Sequence, residues 1–190
     1  VATPMNYELS FTIDIDATEP FSGWTNILAI TSAENGWDVE RYPSIFFGDG
    51  GYLHLAQTYR KPTSSGDWNA NCYLDGTTWL VAGNTYGIKV THVDNLLSMY
   101  IYDQDGDLVE EKSMLCFATY SAPGGGVLYA GSPWFTAAKA RLSDVRYSEI
   151  ISYALNDNNL WPAAQSSTLA LTALARLEPT FQSRPLDVLS

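Results

Sequence analysis

Positive charge is scarce in this chain. Ten Lys and Arg stand against 21 Asp and Glu, a formal net charge of −11. So acidic a surface repels phosphate backbones, which argues against nucleic acid as a partner and disfavours anionic membranes. Histidine is nearly missing: only His54 and His92 occur. There is no His-x-x-x-His pair and no Gly-x-Ser-x-Gly elbow, so the common zinc and serine hydrolase layouts have no support. Glycines 124–126 lack the strand-to-helix setting of a phosphate cradle. No apolar run approaches the length of a transmembrane segment. The Asn-x-Ser/Thr sequon is absent, so N-glycosylation is not expected. Cys72 and Cys116 are far apart and form no Cys-x-x-Cys pair. One disulfide in a secreted protein and two buried thiols both remain open. The chain begins "VATPM" rather than with Met, as expected of a processed or excised chain. Removal of a signal peptide is one route to that.

Aromatic residues are plentiful: 12 Tyr, 7 Phe and 6 Trp. They favour half-buried pleated surfaces, and they also stack on sugar rings or anchor interfaces. Tyr7, Leu9, Phe11, Ile13 and Ile15 alternate with Glu8, Ser10, Thr12, Asp14 and Asp16. That period of two predicts a strand with one buried and one wet face. "WTNILAI" (24–30) predicts a second strand, and Asn35-Gly36 a turn. Two apolar stretches around Gly48-Asp49-Gly50-Gly51 predict a hairpin, since those glycines supply positive φ. "PTSSGDWNAN" from Pro62 reads as a polar loop, and "TYGIKVTHV" (85–93) as another alternating strand. "LLSMYIYDQDGDLVEEKSML" predicts a hairpin with Asp105-Gly106 at its tip. "GGGVLYAG" and a late strand through Leu142, Val145 and Tyr147, with an irregularity, complete an all-β antiparallel pattern.

Past Ser152 the texture changes. The segment 153–190 has few charges, no Lys and no Gly, and three prolines. Residues 168–177 fit a helical stripe through Leu171, Leu174 and Leu177, or a strand through Leu169, Leu171 and Ala173. Low charge and recurring Leu argue against disorder. The segment either packs on its own domain or joins neighbouring subunits, with Leu160, Trp161, Leu169, Leu171, Leu174, Leu177 and Phe181 as the contact residues.

The order of elements resembles laminin G-like domains within the concanavalin A-like lectin/glucanase superfamily. Three stretches carry the likeness: "YELSFTIDIDATEPFSGWTNILAI", "SMYIYDQDGDLV", and "VLYAG" followed by "AKARLSDVRY". The resemblance covers 5–152. It implies a jelly-roll sandwich of two antiparallel sheets, an extracellular setting, and binding of glycans or proteins. It places one domain over 1–152 and a C-terminal extension over 153–190.

Asp14, Asp16 and Glu19 resemble the Glu-x-Asp-x-x-Glu cluster of sugar-cleaving sandwich enzymes. Glycoside hydrolysis needs two carboxyls flanking the scissile bond. Asp14 and Asp16 share a strand face, but Glu19 does not in a regular strand, and Pro20 marks the exit. A wet strand face is the plainer account of these acids. The loop from Asp103 fails the EF-hand pattern, with Leu108 where Gly is needed and Met114 where Glu is needed. No cofactor is expected beyond a structural calcium of the kind some laminin G-like domains hold. Asp49 and Asp105 are the eligible turn acids, and solvated turn acids are the simpler reading. Trp37, Trp68 and Trp134 lie near turns, where an indole either stacks on a sugar or partner or plugs its own sandwich. His54 shares a face with Tyr52 and Ala56, as a satisfied strand histidine or a glycan contact.

The expected protein is a secreted, non-catalytic structural subunit of a homo-oligomeric or fibrillar assembly, self-associating partly through 153–190. The alternative is a glycan-binding adhesion module using Trp37, His54, Trp68 or Trp134. A polysaccharide hydrolase using Asp14, Asp16 and Glu19 is the third reading.

Overall fold

The computed structural model describes residues 6–32, 40–64, 66–118, 126–132 and 134–150, with the backbone of 167–170 and 175–176. Alternation in the first stretch builds strand β1 (Tyr7–Ile15), whose odd residues are buried and whose even ones are half-exposed. Each large side chain so buried contributes about 2 kcal/mol relative to staying in water. The same pattern drives β6 (Thr85–Val93), where Tyr86, Ile88, Val90 and His92 point inward. The remaining strands are β2 (Thr25–Ser32), β3 (Ser44–Phe47), β4 (Leu53–Thr58), β5 (Asn71–Asp75), β7 (Leu96–Tyr102), β8 (Leu108–Leu115), β9 (Gly126–Ala130), β10 (Ala140–Glu149), β11 (Ser167–Ala170) and β12 (Ala175–Arg176). A short 3-10 turn, Trp68–Ala70, precedes β5.

Two sheets result. One runs β11-β10-β1-β6-β7-β8, with β12 also on β10; the other runs β5-β4-β3-β2-β9. Every strand pairing is antiparallel. The fold is thus the all-β antiparallel sandwich expected. Asp94 and Asn95 join β6 to β7 with φ of 50° and 67°, the left-handed pair a two-residue hairpin needs. The irregularity in the last strand is a bulge opposite Ser10 and Thr12, with Asp144 at φ 52°.

The core lies between the sheets, from Tyr7, Leu9, Ile13 and Ile88 on one side to Ile45, Phe47, Leu53 and Leu55 on the other. One polar bridge crosses it: the buried Tyr7 hydroxyl donates to Gln57 Oε1 at 2.8 Å. Gln57 Nε2 then donates to the Thr58 carbonyl at 3.0 Å, so the amide's donor and acceptor are both used. The two cysteines form a disulfide, Cys72–Cys116, with Cα atoms 5.9 Å apart. It ties β5 of one sheet to the residue following β8 of the other. Nearby, Lys112 Nζ donates to the Asp75 carbonyl at 2.6 Å, and Glu110 takes the amides of Thr77 and Thr78. One side of the sandwich is therefore cross-linked covalently and by charge.

In the tail, β11 and β12 pair with β10 of the same chain. Leu169 lies in register with Tyr147. Leu160, Trp161, Leu171, Leu174, Leu177 and Phe181 lie outside the described residues, as do Trp37 and the Asn35-Gly36 turn.

Candidate binding face

Alternation on the five-stranded sheet sends Ile45, Phe47, Leu53, Leu55 and Leu74 into the core. The intervening residues therefore face away from the other sheet. Register aligns them in rows. One row is Asp75, His54 and Phe46, across β5, β4 and β3. The next is Tyr73, Ala56, Ser44, Ala29 and Tyr129, reaching from β5 to β9. The three small residues in its middle leave a trough between two tyrosines.

Arg41, from the loop before β3, is the residue stacked beneath the aromatic roof. Its guanidinium carbon lies 4.9 Å from the Phe46 ring centre, 4.8 Å from Trp68 and 5.5 Å from Phe135. Arg41 is only 5% exposed. Ring faces carry negative charge density, so such contacts hold a partly desolvated cation favourably. Trp68 and Phe135 also meet each other, edge to face at 6.3 Å.

The second aromatic group centres on His54. Its ring stacks on Tyr73 at 5.3 Å and meets Trp24 edge-on at 4.6 Å. Trp24 also meets Tyr52, at 6.2 Å. His54 Nδ1 lies 2.6 Å from Asp75 Oδ1. A carboxylate only accepts, so the proton of this bond sits on Nδ1. Burial pushes the His54 pKa down; Asp75 pulls it back, and the net result stays below the ordinary value. Tyr52 is shifted upward, first by burial and then by the charges of Asp75 and Asp49. The tyrosine ring covers Gly48, where a Cβ would collide with it.

This face brings together two of the expected contact residues, His54 and Trp68. Trp134 stands at its β9 side, 6.3 Å from Tyr129. Trp24 is 48% exposed and Trp68 39%. Trp24, Arg41, Phe46, Tyr73, Asp75 and Phe135 carry no mark of a site in the sequence itself. Phe46 and Asp75 become visible once the register with His54 is known. Arg41 has no such local signal, because the rings around it come from three separate segments.

The acids of the first strand are bound into the fold. Asp14 accepts from Thr85 Oγ1 at 2.6 Å and pairs with Arg141. Asp16 accepts from the amide and hydroxyl of Thr18, both at 2.7 Å. Glu19 is buried, accepting from the Phe21 amide at 3.1 Å and the Lys139 amide at 2.6 Å. Asp49 accepts from the Gly23 amide at 3.3 Å. Asp103 takes the amides of Asp105 and Asp107 and closes its own hairpin. No cluster of three or more metal-ligating side chains occurs among the described residues.

The two-sheet antiparallel sandwich has counterparts in fold among solved structures. It is similar to the alginate lyase from Klebsiella pneumoniae at 11% identity and a TM-score of 0.51, covering 76% of this chain and 60% of the lyase. It is also similar to the enzymatically active domain of tailspike protein 2 from bacteriophage CBA120, at 15% identity and a TM-score of 0.52, covering 80% of this chain and 23% of that one. The LG1-3 region of the laminin alpha2 chain aligns over 92% of this chain and 28% of its own, at 11% identity and a TM-score of 0.42. The first two are likenesses of fold, and this chain spans less than two thirds of each of the three. No protein-family model and no curated protein matches the chain. Among the described residues no helix is long and apolar enough to cross a membrane.

Proposed function

We propose that this chain is a non-catalytic glycan-binding module of the extracellular space, and that the outer face of its five-stranded sheet is the contact surface. The observation that carries this reading is the pair of half-exposed indoles, Trp24 and Trp68, on a base of packed rings. Sugar rings present apolar C–H faces that stack on aromatics, and rigid aromatics lose little entropy on binding. A polar group beside them, here Asp75, sets orientation. The disulfide favours an oxidising compartment.

The assembly role drawn from 153–190 has less support, because the described tail strands pair with β10 of their own chain. The hydrolase reading has less still, since Asp14, Asp16 and Glu19 are engaged in structural bonds.

A glycan array probed with the intact chain tests the proposal. Binding is expected, and Trp24→Ala and Trp68→Ala should each weaken it about tenfold or more, the usual effect of removing a buried anchor. An array showing no binding above background, or binding untouched by both substitutions, would overturn it.

A further inference from the structure

This inference rests on the glycan-binding reading and names the sugar. The end of the face nearest the β3–β4 hairpin differs from the rest in charge. Trp24 stands there against His54 and Tyr52. Asp75 lies beside them, its Oδ1 held by His54 Nδ1 at 2.6 Å. The Asp75 side chain is 55% exposed. Its Oδ2 takes no hydrogen bond among the described residues. A second carboxylate, Asp49, sits at the hairpin tip, and both acids act on Tyr52.

Of the neighbouring cations, one is turned under the rings and the other is held on the Asp75 main chain. Arg41 is buried beneath Phe46, Trp68 and Phe135. Lys112 projects from the inward side of β8, shared with Glu110 and Met114, and gives its ammonium to the main-chain carbonyl of Asp75. Two carboxylates, Asp75 and Asp49, against the one ammonium of Lys112 leave the net charge at this end negative. A carboxylate keeps about four lone-pair positions, of which His54 occupies one.

The geometry points to a neutral pyranose as the ligand here, with one face stacked on Trp24 and an adjacent pair of hydroxyls donating to the Asp75 carboxylate. A uronate or sialate would bring a second carboxylate against Asp75 in a partly desolvated site, where like charges repel strongly. Hydroxyls meet no such barrier, and they satisfy an acceptor that would otherwise lose its water on binding.

Titration calorimetry on the intact chain decides the matter. The probes are cello-, manno- and galacto-oligosaccharides as the neutral set, and oligomannuronate, oligogalacturonate and sialyllactose as the acidic set. Binding within the neutral set is expected, nearly unchanged between low and high salt. Trp24→Ala and Asp75→Asn should each cost about tenfold or more in affinity. Asp75→Lys should gain affinity for the oligouronates. If Asp75→Asn does not fold, Asp75→Glu moves the carboxylate by one methylene, and affinity equal to wild type would count against the subsite. Binding of an acidic probe that Trp24→Ala abolishes would overturn the neutral class and leave the glycan-binding reading standing. Neutral binding untouched by the changes at Asp75 would overturn the subsite. No binding of any probe would overturn both.

Discussion

His54 and Asp75 are directly opposed residues of the β4–β5 ladder, and their side chains meet at 2.6 Å on its outward face. The imidazole is largely buried, so protonation costs more in the folded protein than in the unfolded chain. The unfolded chain then binds the proton more tightly. Stability from this residue is complete above the unfolded pKa, about 6.5. It declines as pH falls through that value towards the lower folded pKa. Melting temperature measured against pH should show this early loss, and His54→Gln should flatten it. A wild-type curve level from pH 7 down to about pH 5 would contradict the assignment.

Glu110 predicts a second, more acidic loss. It receives the Thr77 amide at 2.6 Å, the Thr77 hydroxyl at 2.8 Å and the Thr78 amide at 2.9 Å. Burial raises its pKa, but those bonds more than offset the rise, leaving it below the ordinary value. Its contribution is therefore present above about pH 4.5 and lost as pH falls through the folded pKa. Glu110→Gln turns an amide donor towards a main-chain donor and should cost about 1–3 kcal/mol at neutral pH. The gap to wild type in urea denaturation should narrow in acid; a constant gap would refute the charge argument.

The disulfide closes a separation of 44 residues. Chain-entropy arithmetic for such a loop gives about 4 kcal/mol. Denaturant unfolding with and without reductant should differ by most of that amount. A difference under about 1 kcal/mol would mean that the reduced unfolded chain already keeps the two cysteines close.

Arg41→Ala should empty the space beneath Phe46, Trp68 and Phe135. The loss of stacking and of the packed alkyl stem should cost about 1–3 kcal/mol. Tryptophan emission should shift to the red as water reaches Trp68. Unchanged emission would show that the ring does not depend on the cation beneath it.

Much of the sandwich is legible in the sequence, for a local reason. β6 spans the alternating stretch 85–93, and β1 is built on the same period of two. The hairpins are marked by residues that accept positive φ, such as Gly50 and Gly106. β5 is less legible, because "NCYLD" offers only Cys72 and Leu74 as inward residues and follows a polar loop. Trp24 reads as the start of a strand, yet its indole stands outside the sheet, since β2 begins one residue later. The binding face is the least legible feature. The trough needs three small residues on β2, β3 and β4 at one register, and Asp75 gains its meaning only opposite His54. Such coincidences come from pairing, not from spacing along the chain.

Glu19 gives the opposite lesson. Its carboxylate ties the end of β1 to the amide of Lys139, at the far end of the connection that carries Trp134 and Phe135. Asn26 fastens the same connection through the Thr136 carbonyl and the Ala138 amide. The roof over Arg41 is thus moored at two points. Shortening the tether with Glu19→Asp would slacken it, and the effect would surface as altered affinity at rings the acid never touches.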